Sequence, residues 1–389
     1  GTPWNSSRGI DPIVTPAYDL DGNPSGFSAA ELQRIQDIFD LVSEDFIPFQ
    51  VDVTTEDPGV EALRNTGAGD TQWGIRVVFG PDQMSTGAGG IAYIGSFSWS
   101  TDVPCFVFNV GFKGAAEAGT HETGHTLWLY HDGYPLSGYY PGHGAGPTGW
   151  APIMGVGYSR ELVQWSKGEY PQADNQEDDL AIITTRNGFD YRVDDHGDSL
   201  TTASPLGVAG GTAVTDEGII ERTTDNDYFV FNTGTGPISL NIDPYYISPN
   251  LDILATLYNE SGTVVATSNP PDALNASFNI GLTAGTYYLS IDGTGRTGAG
   301  SDYGYSDYGS VGYYSITGTV NAPSAAPVGP RLFAVRPNDG ALLVRDEVTV
   351  LDVSPREMRF LFKGGSNLDP ATLDGIRITR RGTDQEFDV

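Results

Sequence analysis

The sequence predicts an α+β domain followed by two all-β modules, and three observations carry that expectation. Residues 28–46 repeat apolar side chains at helical spacing, and a second helical stretch near Ala115 follows several short apolar runs. Composition shifts near Tyr191, where short runs separated by turn residues begin. A Pro- and Ala-rich stretch at 321–330 then precedes a further β-like segment. The expected boundaries are 1–192, 193–320, a linker at 321–330, and a partial, Ig-like β module at 331–389.

Residues 1–27 are rich in Pro, Gly and Asp and read as an extended lead-in. Ser28 is a good N-cap, and Glu31 three residues on completes a capping box, in which each side chain satisfies the other's free backbone N–H. Phe27 and Leu32 are placed for the accompanying hydrophobic staple. Leu32, Ile35, Ile38, Phe39, Val42 and Phe46 recur at helical spacing until Pro48. Residues 49–54 alternate as a strand, 75–79 read as a second and central one, 91–99 as a third and 105–110 as a fourth. A Gly- and Tyr-rich loop spans 132–150, and 178–183 reads as a helix capped by Asn175.

The stretch 119–133 reads G-T-H-E-T-G-H-T-L-W-L-Y-H-D-G. His121 and His125 are four apart, so on a helix they share one face. Glu122 adjoins the first of them. His131 lies six beyond His125, where a continuing helix would point it elsewhere, so the chain must turn after about Leu127 to bring it back. Three neutral imidazoles and one open position form the ligand set of a catalytic zinc site.

These residues resemble the zinc-binding signature of the metzincin metallopeptidases, H-E-x-x-H-x-x-G-x-x-H with a Met-turn downstream. His121, Glu122, His125 and His131 fall on the pattern, and His131-Asp132 is similar to the adamalysin (reprolysin) branch. Ala151-Pro152-Ile153-Met154-Gly155 looks like the Met-turn. One position departs, because the family's glycine is Trp128 here. Over residues 1–192 the resemblance implies a mixed sheet, a zinc helix and a Met-turn. It also implies a zinc endopeptidase in which a zinc-bound water attacks the scissile carbonyl, with Glu122 as general base. Met154 would form an apolar floor under the ligands, and Asp132 would anchor the lower part of the domain. The segment 91–95 would be the edge strand that pairs with substrate backbone. Tyr158, four after Met154, is a candidate transition-state stabiliser, although the family's tyrosine lies two after the methionine.

Short runs at 228–231, 238–242, 251–258, 263–267, 287–291 and 313–319 predict a β-sandwich. Residues 298–312 read as one of its loops. Asp225-Asn226-Asp227-Tyr228-Phe229 and Leu282-Thr283-Ala284-Gly285-Thr286-Tyr287-Tyr288 resemble the bacterial pre-peptidase C-terminal domain, a jelly-roll module of secreted peptidases. Asp194, Asp195, Asp198, Asp225 and Asp227 are candidate calcium ligands, since Ca²⁺ takes six to eight oxygens.

The chain has 389 residues, with 50 acidic side chains against 20 basic and a net charge of −30, which argues against nucleic acid and anionic membranes as partners. There is no apolar run long enough to span a bilayer. The first residue is Gly1 and not Met, which reads as a processed or trimmed product, so that any signal peptide would already be gone. Cys105 is the single cysteine, so no internal disulfide forms, and its apolar neighbours mark it as a buried thiol. The expectation is a secreted or cell-surface monomeric zinc endopeptidase acting on proteins or peptides, with Zn²⁺ and Ca²⁺ as cofactors. Trp128 keeps another class open, a catalytically inactive scaffold of the same fold serving extracellular adhesion or matrix binding.

Overall fold

The computed structural model describes residues 3–109, 111–296, 304–323, 331–337, 343–344, 357–363, 380–381 and 387–388. They fall into two compact units, Gly1–Ala322 and Pro323–Val389. The first unit contains both the histidine-bearing segment and a β-sandwich.

The lead-in is not wholly extended. It carries a short helix, α1 (Pro3–Arg8), whose Trp4 is buried and donates its indole N–H to the Pro104 carbonyl at 2.7 Å. Next, α2 (Ala29–Phe46) starts at Ser28 with the capping box formed in both directions. The expected staple is absent, since Phe27 and Leu32 are both more than half exposed. The buried stripe runs instead through Ile38, Leu41 and Phe46, and it takes Glu44 and Asp45 inside with it.

Strands β1 (Val77–Phe79), β2 (Gly90–Ile91) and β3 (Cys105–Val107) form a three-stranded sheet in the order β1-β3-β2. The central strand is therefore β3, and the stretch expected to be central lies at an edge. Pairing is parallel for β1 and antiparallel for β2. The long third strand expected at 91–99 stops after Ile91, because Gly95 takes a left-handed conformation (φ +75°) and Ser96–Ser98 form a 3₁₀ turn. Residues 49–54 make no strand. Phe49 forms one bridge to Tyr191, while Val51 and Val53 pack on the core without a ladder. Cys105 is fully buried, and burial pushes its thiol pKa well up.

The histidine helix, α3 (Phe112–Thr126), lies on this sheet and against α2. Ala115, Ala116 and Ala118 give it a flat face that packs on Ile38, Leu41 and Val107. Below α3 a second core gathers Phe46, Leu127, Leu129, Met154, Trp165 and Ile183. It is closed by β4 (Trp150–Pro152), β5 (Leu162–Gln164) and α4 (Asp179–Arg186). The α4 cap is Asp178, which accepts from the Ala181 N–H at 3.0 Å, rather than the expected Asn175.

The sandwich comprises β6 (Ser204–Pro205), β7 (Val208–Ala209), β8 (Ala213–Ile220), β9 (Asn226–Thr233), β10 (Gly236–Pro244), β11 (Ile253–Asn259), β12 (Val264–Ser268), β13 (Ala276–Leu282), β14 (Gly285–Gly293) and β15 (Gly312–Thr319). One sheet runs β13-β10-β15-β8-β7 and the other β12-β11-β14-β9-β6. Alternating residues of both sheets, such as Phe229, Leu240, Ile253, Leu289 and Tyr314, form the core between them. All six runs read from the sequence are strands. The unread β8 is interrupted by Asp216-Glu217-Gly218, which breaks its apolar alternation, whereas β13 alternates regularly through Ala276, Phe278, Ile280 and Leu282.

Loops of the sandwich pack directly under the histidine-bearing segment. Asn250 donates to Asp45 Oδ1 at 2.9 Å, and Gln164 donates to the Asn250 carbonyl at 2.5 Å and to Ser310 Oγ at 3.0 Å. The Tyr313 N–H meets Glu44 Oε1 at 3.1 Å, and Tyr308 Oη joins Asp178 at 2.7 Å to the Leu180 N–H at 2.8 Å. Thr120, one residue before His121, donates to Asp45 Oδ2 at 2.5 Å. A chain of buried hydrogen bonds thus runs from the sandwich to the histidine helix.

In the second unit, β16 (Arg331–Pro337) pairs antiparallel with β17 (Leu343–Val344) and β18 (Met358–Lys363), and β19 (Arg380–Arg381) pairs with β20 (Phe387–Asp388). The segments that would decide an Ig-like topology, like 324–330 of the expected linker and 298–303 of the sandwich loop, lie outside the described residues. No described helix is long and apolar enough to cross a membrane.

Candidate metal centre

The site begins at the C-terminus of α3. The Leu129 N–H bonds the Gly124 carbonyl at 3.1 Å and the Trp128 N–H bonds that of His125 at 3.1 Å. These are the two bonds of a Schellman motif, which needs a left-handed residue at the position that Trp128 occupies. Trp128 adopts it, with φ +81°. The helix therefore ends in the turn that glycine usually makes, and His131 returns toward His121 and His125.

The three rings converge. Their centroids are 4.8 Å apart for His121 and His125, 5.2 Å for His121 and His131, and 4.6 Å for His125 and His131. One nitrogen from each lies within 4.8 Å of the others. His121 Nδ1 is 2.9 Å from the Ile153 carbonyl and His125 Nδ1 is 2.8 Å from the Leu129 carbonyl. A carbonyl only accepts, so both rings carry their proton on Nδ1 and keep the Nε2 lone pair for a ligand. His125 Nε2 and His131 Nε2 are 2.9 Å apart. Two nitrogens on one tetrahedral zinc stand about 3.3 Å apart, so a few tenths of an ångström of opening fits the ion. The donor set suits zinc.

Burial sets the charge state. Loss of water lowers the His121 pKa to about 3 and that of His131 to about 4, with the neighbouring imidazoles adding to it, and also lowers His125. All three are neutral at pH 7, as ligands must be. Desolvation raises the Glu122 carboxyl to about 8. A dication beside it would oppose that shift.

Each support of the site has a local cause. A Cβ at Gly90 would lie 2.6 Å from Glu122 Cγ and Oε1, so the bare backbone of β2 lets the carboxylate reach the edge of the sheet. Met154 is fully buried beneath α3, against Gly124. Asp132, also buried, donates its N–H to the Met154 carbonyl at 2.8 Å and accepts from Tyr170 Oη at 3.4 Å, tying the third histidine to the Met154 turn. Of the edge strand expected at 91–95, only Ile91 is strand, as the second residue of β2 at the edge of the sheet.

Tyr158 is 43% exposed and accepts at Oη from Asn109 Nδ2 at 3.1 Å. A second tyrosine, Tyr139, escaped the sequence reading. Its ring lies 4.3 Å from His131 and 6.0 Å from His121, and it is 42% exposed. Burial and the Glu122 charge raise the pKa of both phenols, so both are protonated donors. Tyr139 sits in a Gly- and Tyr-rich loop with no periodicity to single it out.

The acidic residues of the sandwich separate into two overlapping groups, Asp194-Asp198-Asp225 and Asp194-Asp195-Glu221, each with carboxylate oxygens within 4.8 Å of one another. Asp227 lies in neither group and accepts from Tyr314 Oη at 2.5 Å. Glu221 was not singled out from the sequence.

No protein-family model matches the chain, and no curated protein matches it. Among solved structures, the pre-peptidase C-terminal domain of collagenase from Bacillus anthracis aligns over 32% of this chain and 98% of its own, at 17% identity and a TM-score of 0.23. A periplasmic inhibitor of g-type lysozyme from Aeromonas hydrophila aligns over 31% of this chain and 96% of its own, at 12% identity and a TM-score of 0.23. At these scores the two-sheet assignment rests on the strand pairings themselves.

Proposed function

We propose that the chain is a secreted, metzincin-like zinc endopeptidase. The observation that carries this reading is the convergence of three neutral imidazoles on one gap, one nitrogen of each within 4.8 Å of the others, with the Glu122 carboxylate on the same helix. Bound zinc would act as a Lewis acid toward a peptide carbonyl and acidify a water in the open position. His121, His125 and His131 would hold it, their Nδ1 protons or ring packing fixing the aim of each Nε2. Glu122 would accept the proton of the attacking water and deliver it to the leaving amine. Tyr139 and Tyr158, half-exposed phenols near that carboxylate, are placed to donate to the developing oxyanion. Backbone groups of β2, at the sheet edge, would align an extended peptide. The pre-peptidase-like character of the sandwich belongs to the same proposal.

The test is metal content together with cleavage of unfolded casein. The expected result is about one zinc per chain and cleavage that a chelator abolishes and added zinc restores. Zinc-loaded protein that cleaves no protein or peptide would favour the inactive scaffold.

A further inference from the structure

We propose that Asn109 is a positioning residue of the candidate centre, an inference that rests on the peptidase reading. It holds the Tyr158 phenol as a hydrogen-bond acceptor and so leaves the phenol O–H free to donate to a substrate carbonyl oxygen. Asn109 lies two residues beyond β3, and its backbone N–H bonds the Gly89 carbonyl at 3.3 Å. Its side-chain Nδ2 donates to the Gly114 carbonyl, in the first turn of α3, at 3.0 Å and to Tyr158 Oη at 3.1 Å. A carbonyl only accepts, so the atom facing Gly114 is the amide nitrogen and not the amide oxygen. The same nitrogen faces Tyr158, and an amide nitrogen is a donor only. The phenol oxygen is therefore the acceptor, and its own proton is left over. Among the described residues this is the one hydrogen bond of the phenol.

The aim of the phenol depends on this bond. Tyr158 belongs to a turn closed by the Arg160 N–H on the Gly157 carbonyl at 2.8 Å, outside any helix or strand. Two consecutive glycines bring the phenol and Glu122 to the same edge of the sheet. A Cβ at Gly89 would lie 2.9 Å from both Tyr158 Oη and Asn109 Nδ2, and one at Gly90 would lie 2.6 Å from Glu122 Oε1. Bare backbone thus lets both groups approach β2, along which the substrate would lie. Burial, opposed by the Asn109 amide, and then the Glu122 charge hold the phenol pKa above its ordinary value. An oxyanion donor works best when its proton is aimed before charge develops. Accepting a bond also polarises the O–H and strengthens the bond it gives. Asparagine suits the position because its amide supplies two N–H donors, one for the Gly114 anchor and one for the phenol. Aspartate is the same size, but its carboxylate only accepts, so it would reverse the bond and take the phenol proton for itself.

The test compares the full chain with its Asn109→Leu, Asn109→Asp and Tyr158→Phe variants and with the double variant Asn109→Leu/Tyr158→Phe. One readout is peptide cleavage by the zinc-loaded chains. Tyr158→Phe should lower kcat at least about tenfold with KM little changed, and each Asn109 variant should lower it at least about fivefold. The double variant should be no slower than Tyr158→Phe, because Asn109 acts through the phenol. Losses that multiply in the double variant, or an Asn109→Leu chain as active as the parent, would overturn the proposal. The other readout needs neither zinc nor cleavage. It is the NMR resonance of the Tyr158 ring carbon that bears the hydroxyl, assigned by its absence in Tyr158→Phe. In Asn109→Asp that phenol becomes a donor to a carboxylate, so the resonance should move downfield, toward the phenolate position. An unmoved resonance would overturn the proposal whether or not the parent cleaves peptides. A moved resonance in a parent that cleaves nothing would sink the peptidase reading and leave the direction of the Asn109–Tyr158 bond standing.

Discussion

Gly124 and Met154 are in contact through the absence of a side chain: a Cβ at Gly124 would stand 2.6 Å from the Met154 sulfur. The glycine inside the histidine helix thus admits the fully buried methionine beneath the three histidines. Gly124→Ala should therefore destabilise the fold by about 1–3 kcal/mol through overpacking, despite alanine's better helix propensity. Met154→Leu, nearly volume-conserving, should cost less than about 1.5 kcal/mol. Urea unfolding of both variants checks this, and an alanine variant more stable than the parent would contradict the packing.

Trp128 holds φ +81° with its indole laid over the backbone of Gly95. Two effects oppose each other there: the left-handed conformation costs about 1–2 kcal/mol and the ring contact offsets part of it. Replacing the residue by alanine keeps the cost and loses the ring, whereas glycine loses both. Trp128→Gly should then be more stable than Trp128→Ala by about 1 kcal/mol, measured by chemical unfolding. Equal stabilities would mean that the strain is absent.

How much was legible beforehand follows from where the information lies. The capping box, the histidine spacing and the alternating runs are local patterns, and the helix start, the turn toward His131 and six sandwich strands follow from them. The edge position of β1 and the early end of β2 depend on contacts far along the chain. Gly95 sits under Trp128, and no spacing rule links those two. Tyr139 and Glu221 were missed for the same reason, since each gains its significance only from neighbours that the fold brings to it.

Stability should fall as pH rises. Burial, and then the Glu117 charge, raise the Asp45 carboxyl from the ordinary value near 4 to about 8, and Glu44 is raised in the same sense. The folded state therefore binds protons that the unfolded state has released between pH 4 and 8. The stabilisation is fully present below the unfolded value and is lost as pH climbs through the folded one. Melting temperatures taken from pH 5 to 9 should decline toward pH 8, and Asp45→Asn should flatten the curve. A rise over that range would show that Asp45 is held ionised.

The sandwich should be required by the histidine-bearing segment. A chain ending at Arg192 would leave Glu44, Asp45 and Gln164 without Tyr313, Asn250 and Ser310. Unpaired buried groups of this kind cost about 1–3 kcal/mol each. The shortened chain should show no cooperative thermal transition by circular dichroism. A sharp transition near that of the longer chain would make the sandwich dispensable.

In the proposed mechanism Glu122 performs proton transfer beside a metal held by three histidines. It is tested most directly by measuring zinc stoichiometry and kcat/KM for peptide cleavage in the parent chain and in Glu122→Ala. The same zinc content is expected in both, with a loss of at least about 10²-fold in kcat/KM for Glu122→Ala. Full activity in the zinc-loaded variant would contradict it.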